Sequence, residues 1–129
     1  MAAKGADMGS RGEELSRVLR GLQTGTPDVE ASALISEDGL MIASALPQHF
    51  EEIRVAGMSS TLLSLGLRAA TELERGNVEQ VLIRGQNGYV VMVAAAPGTM
   101  LLVLTTKDAK LGLVFLDLSR AVDAIKKIL

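Results

Sequence analysis

Residues 78–106, VEQVLIRGQNGYVVMVAAAPGTMLLVLTT, hold the pattern that decides the fold. Turn-forming residues interrupt this stretch twice, first at Gly85-Gln86-Asn87-Gly88 and then at Pro97-Gly98. Such short connections join antiparallel neighbours, because a parallel pair of strands needs a crossover of a dozen or more residues. The stretch therefore predicts three strands of an antiparallel sheet, over residues 78–84, 89–96 and 100–106.

A second pair of strands precedes this stretch. Residues 29–36 and 40–45 are short apolar runs separated by Glu37-Asp38-Gly39, and Asp-Gly between apolar runs is a strong hairpin signal. The resulting sheet is antiparallel, which excludes the doubly wound parallel sheet of nucleotide-binding proteins. Runs such as 90–93 and 101–104 are apolar at every position, so we expect helices on both faces of the sheet.

Three segments have the period of amphipathic helices. The first begins at Ser10, which forms a capping-box pattern with Glu13. The second extends over about residues 50–75, and the third begins near Leu111, with Asp108 as its predicted N-cap. The element order is α-β-β-α-β-β-β-α. We therefore predict an α/β fold of the α+β type, with a five-stranded antiparallel sheet between two helical layers.

Length and composition exclude several functional classes. A chain of 129 residues holds one domain, predicted over residues 10–129 after a disordered tail at residues 1–9. The absence of cysteine excludes zinc fingers, iron–sulfur sites and thiol catalysis. A net charge of −2 and an aromatic content of 2% argue against nucleic acid as a partner. No apolar run reaches the roughly 18 residues that span a bilayer, so we expect a cytoplasmic protein without membrane insertion.

The sequence lacks the usual patterns for catalysis and for cofactor or metal binding. No glycine is followed by lysine, so the phosphate loop G-x-x-x-x-G-K-[ST] does not occur. His49 is the only histidine and has no nearby pair of carboxylates to complete a metal site. Ser59, Ser60 and Thr61 have no histidine close in sequence to act as a general base. We predict no catalytic, cofactor-binding or metal-binding residue, and a protein that is not an enzyme.

The central helix carries two apolar stripes that point in nearly opposite directions. The first is the bulkier and suits the sheet; it consists of Val55, Met58, Leu62, Leu65, Ala69 and Leu73. The second mixes leucines with small residues and consists of Ile53, Ala56, Gly57, Ser60, Leu63, Ser64, Leu67 and Ala70. Small residues let another helix approach closely, so we interpret the second stripe as a contact with another protein chain. The alternative is a sheet that curls around the helix and buries both stripes.

A narrow line of polar residues separates the two stripes. This polar line consists of Arg54, Thr61, Arg68, Glu72 and Arg75. Arg68 and Glu72 have the spacing of an ion pair along one helix face. The line is either a solvated face or a contact with a partner protein.

Several of these segments together resemble the prokaryotic branch of the roadblock/LC7 family. They are the hairpin 36–40, the helix segment 59–66, the strand 78–83 and Lys110-Leu111-Gly112-Leu113-Val114 at the start of the last helix. The resemblance extends over about residues 11–129. It implies a profilin-like sandwich in which the long helix covers one face of the sheet and the terminal helices cover the other.

The resemblance also implies a homodimer. Members of the family pair the third strand edge to edge into a continuous sheet and pack their two long helices against each other. The corresponding interface residues here are Ile53, Gly57, Ser60, Leu63, Ser64, Leu67, Val78, Gln80, Val81 and Ile83.

Family members regulate or scaffold small Ras-like GTPases, so the resemblance implies a GTPase as partner. We expect the GTPase to bind the paired long helices through Arg54, Thr61, Arg68, Glu72 and Arg75. Bacterial relatives stimulate the GTPase, mainly by reshaping it, which implies a GTPase-activating or co-regulatory function. One alternative is a structural scaffold without effect on hydrolysis. Another is a small-molecule sensor, which would need a cavity lined by polar groups.

Overall fold

The computed structural model describes residues 2–129, with side chains described from Arg11 onward. Its elements follow the predicted order, and the predicted fold class is confirmed. The helices and strands are α1 Ala2–Gly25, β1 Val29–Ser36, β2 Met41–Ala45, α2 Glu52–Glu72, β3 Gln80–Gly85, β4 Gly88–Ala96, β5 Thr99–Thr105 and α3 Leu111–Ile128.

The five strands form one antiparallel sheet in the order β2-β1-β5-β4-β3. The three hairpins that the turn residues predict are present, and β1 pairs with β5 to join them into one sheet. The pairing of β1 with β2 shifts register between Leu34 and Ile35, which leaves Ile42 as an extra residue in a β-bulge. Strands β2 and β3 are the two edges of the sheet.

Helices cover both faces of the sheet. Helices α1 and α3 pack on one face, where Leu19, Leu118 and Ile125 are fully buried. Helix α2 packs alone on the other face, against Ile35 and Met92. The uninterrupted apolar strands predicted two covered faces, and this expectation is confirmed.

Helix α2 crosses the strands nearly at right angles. Near its start, the Ser44 hydroxyl of β2 donates a hydrogen bond to the Glu52 carboxylate. Further along, Gly66 lies against β3, where a Cβ atom on this glycine would be 3.2 Å from Cγ2 of Val81. The helix rises about 21 Å between Glu52 and Gly66, and four strand spacings measure about 19 Å. The helix therefore takes an almost direct path from one edge of the sheet to the other.

The helix boundaries differ from the predicted ones at two places. Helix α1 begins at Ala2 instead of Ser10, so a helix stands where the sequence predicts a disordered tail. Three of residues 2–9 are alanine, the strongest helix former, and none is proline; the two glycines among them, which disfavour a helix, do not interrupt it. Helix α2 ends at Glu72 because Glu74 and Gly76 follow with positive φ angles of 56° and 86°.

The N-terminus of α3 is capped by a residue from a distant loop. The predicted N-cap Asp108 is wrong, because Lys110 occupies that position and has no side-chain cap of its own. Instead the Asp28 carboxylate accepts a hydrogen bond of 3.1 Å from the Lys110 backbone N–H. The Asp28 carbonyl also accepts a 2.9 Å bond from the Thr106 N–H. The loop between α1 and β1 thus fixes the start of the last helix.

The hairpin turn between β3 and β4 depends on one glycine. Gly88 has a φ angle of 152°, in the region that favours glycine. A Cβ atom at this position would overlap the carbonyl oxygen of Thr105. The backbone of β4 can approach β5 this closely only because no side chain is present.

Candidate functional site

Strand β3 is an apolar edge without a neighbouring strand on its outer side. Val81 and Ile83 point to the α2 face, next to Met92 and Val90, whereas Leu82 points to the opposite face. Leu82 and Ile83 are 42% and 39% exposed. An unpaired strand edge with large apolar side chains is a template for pairing with another chain.

The face of α2 that packs on the sheet lies between the two predicted stripes. Ala56 and Ser59 are buried on this face, and Gly66 lies against Val81 farther along it. Larger side chains from both stripes pack on either side of these small residues, namely Val55, Leu62 and Leu63.

The assignment of the whole first stripe to the sheet is therefore wrong. Met58 and Leu65 of that stripe are 58% and 56% exposed, whereas Ala56 of the second stripe is fully buried. The physical reason is close approach: small side chains let the helix axis come near the sheet, so bulkier residues lie to either side. Exposed leucines consequently occur on both sides of α2, Leu65 on one and Leu67 on the other.

The two sides of α2 face opposite ends of β3. Leu63 and Leu67 line a cleft of about 400 Å³ together with residues 77–80, which lead into β3. Leu65 lies across the helix from Leu67, because two residues are about 200° apart around a helix. Leu65 therefore faces the other end of β3, where Ile83 is exposed.

The residues predicted for the homodimer interface do not form one surface. Gly57 and Ser60 are half-buried under the β1–β2 turn, where a Cβ atom at Gly39 would lie 3.1 Å from the Ser60 Oγ. Ile53 is exposed at the end of α2 that lies over β2. Val78 precedes β3 and lines the cleft. Small residues that suggested a second helix thus accommodate a turn of the same chain.

The remaining predicted interface residues lie elsewhere. Ser64 and Leu67 are exposed on the cleft side of α2, and Gln80, Val81 and Ile83 belong to β3.

The polar line of α2 lies on its outward surface, and all five side chains are exposed. Arg68 and Glu72 form an ion pair of 3.8 Å in which both side chains are more than 70% exposed, an arrangement of little stability. The Thr61 hydroxyl donates to a carbonyl of the preceding turn at 3.0 Å. The Arg75 Nε donates to a carbonyl at the helix end at 2.9 Å. Arg54 in the first turn of α2 and Arg68 in its second half also present their cations to solvent.

The described residues contain no group of three or more metal-ligating side chains placed to hold an ion. His49 stacks against Phe50 with 4.3 Å between ring centroids. Residues 85–88 form the hairpin turn between β3 and β4, as their turn-forming residues predicted. Across residues 2–129, none of the helices is both long and apolar enough to span a bilayer.

The sequence analysis did not predict which side of α2 lies next to the exposed side chains of β3. A helical wheel gives the angle between two apolar stripes, but it does not say which direction meets the sheet. The available signal was the row of small residues Ala56, Ser59 and Gly66, which mark the closest approach to the strands.

Comparisons with known proteins agree with this architecture. An uncharacterized protein of Methanocaldococcus jannaschii is 38% identical over 112 residues, which are 87% of this chain and 96% of that protein. The crystal structure of a Roadblock/LC7 domain from Streptomyces avermitilis has a TM-score of 0.80 at 24% identity, covering 85% of this chain and 92% of that one. MglB of Myxococcus xanthus has a TM-score of 0.83 at 20% identity, covering 90% and 87%.

At these identities the two solved structures establish a shared fold. The sequence itself carries the family signal, since the Roadblock/LC7 domain model matches residues 16–105. This match extends from the second half of α1 to the end of β5. The chain is therefore a member of the Roadblock/LC7 family.

Proposed function

We propose that this chain is a cytoplasmic, non-enzymatic homodimer that binds a small Ras-like GTPase and regulates its hydrolysis of GTP. The observation that carries the proposal is the combination of two exposed surfaces. One is the apolar edge formed by β3 and the adjoining side of α2, and the other is the polar line along the outside of the same helix. Self-association would use the first surface and leave the second open.

Family membership supports the class of partner. Membership of the Roadblock/LC7 family implies a small Ras-like GTPase as the partner, and the chain shares its fold with MglB. The absence of a Gly-Lys phosphate loop from the sequence supports a division of labour in which the GTPase binds the nucleotide and this chain binds the GTPase.

The position of the polar line supports its role in recognition. In a dimer with adjacent α2 helices, two copies of the line flank the space between them. A GTPase docking there meets Arg68 of both chains close to the paired edges, and Arg54 farther out, where α2 begins over β2; polar groups at such a rim confer specificity. Because these side chains are exposed to water, the association is sensitive to salt.

We expect Arg68→Glu and Arg54→Glu to weaken GTPase binding without unfolding the protein. Reversal of an exposed charge changes folding stability by less than about 0.5 kcal/mol, whereas opposing charges across a rim can weaken binding about tenfold. The measurement is a calorimetric titration against small Ras-like GTPases of the same organism, loaded with a non-hydrolysable GTP analogue.

Arg120→Glu is the matched control, since Arg120 is exposed on α3 on the opposite side of the sheet. Equal loss of affinity in all three variants would contradict the assigned face. A wild-type dimer that binds none of the GTPases would favour the scaffold alternative, and stoichiometric binding of free GTP to the chain itself would overturn the proposal.

A further inference from the structure

We infer that the surface formed by the β1–β2 turn, strand β2 and the start of α2 is a docking site for a basic amphipathic helix of another protein. This surface lies at the β2 edge of the sheet, the edge farthest from β3. The inference is therefore independent of the proposed homodimer and of the proposed GTPase contact. It rests on exposed apolar side chains, on acidic surroundings and on an irregular strand edge.

The apolar part of this surface has four large exposed side chains, which we call the β2-edge patch. They are Leu40, Ile42, Phe50 and Ile53. Ile53 is the most exposed large apolar side chain among those described, at 89%, and Leu40 is 66% exposed. None of the four packs against either core cluster. Single exposed apolar residues are common on protein surfaces, but a group of them indicates a contact site.

Two contacts hold the members of the β2-edge patch close together. The β1–β2 turn packs on α2, where a Cβ atom at Gly39 would lie 3.8 Å from the Cα of Gly57. Leu40 directly follows Gly39, and Ile53 lies one helical turn before Gly57 on the same face of α2. Leu40 and Ile53 are therefore on the same side of the helix. The hydrogen bond from β2 to the first turn of α2 holds the segments of the other two side chains side by side.

The surroundings of the β2-edge patch are acidic. Four exposed carboxylates flank it, those of Glu37, Asp38, Glu51 and Glu52. Residues 21–53 contain no lysine or arginine, and the next cation in the sequence is Arg54 on the polar line. Neither of the two ion pairs found among residues 11–129 involves these carboxylates. A partner that covers the apolar side chains therefore gains affinity by bringing cations to this acidic rim.

The same chemistry excludes other classes of occupant. The carboxylates repel the phosphates of nucleic acid and the headgroups of an anionic membrane. They also belong to no group of three or more metal-ligating side chains within the described part of the chain, so they do not converge on a metal ion. A protein surface that combines apolar with cationic side chains is the occupant that fits.

The shape of the β2 edge favours a helix over an extended segment. Strand β2 has five residues, and the bulge at Ile42 interrupts its ladder. An added strand would find only a few regular main-chain partners there. An amphipathic helix needs no main-chain partner, because it presents apolar side chains every three or four residues along one face and carries its charges beside them.

Three synthetic peptides of about 18 residues, or five helical turns, test the inference by calorimetric titration against the intact protein. The basic peptide carries leucine at helical spacing with lysine on both flanks, and the acidic peptide has glutamate in place of each lysine. The third is the basic peptide with a central proline, which breaks the helix. We expect the basic peptide to bind at least about tenfold more tightly than either of the others.

The affinities of these peptides also decide against the inference if it is wrong. Equal affinity for the basic and acidic peptides would show that charge does not select the partner. Equal affinity for the proline peptide would show that the occupant is extended. A basic peptide that does not bind at roughly millimolar concentration would refute the docking site.

Two pairs of protein variants locate the binding surface. Ile53→Asn should weaken binding of the basic peptide at least about tenfold, whereas Leu113→Asn, at a 56% exposed position of α3 across the sheet, should bind like the wild type. Exposed substitutions of this kind leave the fold intact, which circular dichroism verifies.

The second pair removes three negative charges from different places. The triple variant Glu37→Gln, Asp38→Asn and Glu51→Gln should weaken binding and reduce its dependence on salt. Its turn is preserved because Asn-Gly also forms hairpins. The triple variant Glu13→Gln, Glu14→Gln and Asp123→Asn removes the same net charge from α1 and α3, and it should bind like the wild type.

Equal loss of affinity within either pair would overturn the assigned surface. Sedimentation of the peptide-free protein identifies another occupant. If Ile53→Asn alone lowers the oligomeric state, a second copy of this chain covers the β2-edge patch, and the assignment to another protein is overturned.

Discussion

Replacement of Leu65 by aspartate is expected to convert the proposed homodimer into a folded monomer. Leu65 is 56% exposed in the single chain, so a carboxylate there remains hydrated and folding is little affected. Between two α2 helices the same carboxylate would be buried without a partner. Such burial costs about 3 kcal/mol or more, which corresponds to association weakened roughly a hundredfold. Sedimentation velocity at micromolar concentration distinguishes the two species.

Leu67→Asp is the matched control for this experiment. Leu67 is two residues away on the same helix and is 44% exposed, but it lies on the side that lines the cleft. The variant is expected to remain a dimer. If Leu67→Asp dissociates and Leu65→Asp does not, the helices meet through the second apolar stripe, as the sequence alone predicted.

Gly88→Ala is expected to cause the largest loss of folding stability. The added Cβ atom would overlap the Thr105 carbonyl oxygen, at a φ angle of 152° that disfavours any side chain. Relief of the overlap requires the start of β4 to move away from the end of β5. We expect a loss of about 3–5 kcal/mol, which lowers Tm by at least about 10 °C in a domain of this size.

Thermal unfolding followed by circular dichroism measures this effect, with Gly112→Ala as the control. Gly112 lies in α3, and a Cβ atom there would have no neighbour within 4 Å. Because alanine favours a helix over glycine by about 0.5–1 kcal/mol, this control should keep or raise Tm. Equal melting of Gly88→Ala and the wild type would show that β4 and β5 can separate at little cost.

The order of elements could be predicted because its signals are local. Asp38-Gly39 and Pro97-Gly98 occur between apolar runs, and such turns determine which strands are neighbours. The cap of α3 could not be predicted in this way. Asp108 has the right spacing to the helix, but the carboxylate that caps it belongs to Asp28, which folding brings from the other end of the chain.

The surface of α2 could be predicted only in part, for a related reason. Its polar line follows from helical period alone, and the side chains are exposed where that period places them. Its contact with the sheet depends on Ala56, Ser59 and Gly66, whose small size matters more than their hydrophobicity. A wheel weighted by hydrophobicity assigns little weight to such residues, so it favours the bulky stripe.

The bulge in β2 limits how far sheets of this kind can polymerise. When two chains join through β3, the only free edges of the combined sheet are the two copies of β2. That strand has five residues, and the extra residue Ile42 interrupts its ladder and increases its twist. An irregular, short edge is a poor template for another strand. Each chain therefore offers one good pairing edge, and an assembly formed through β3 would end at a finite particle instead of growing into a fibre.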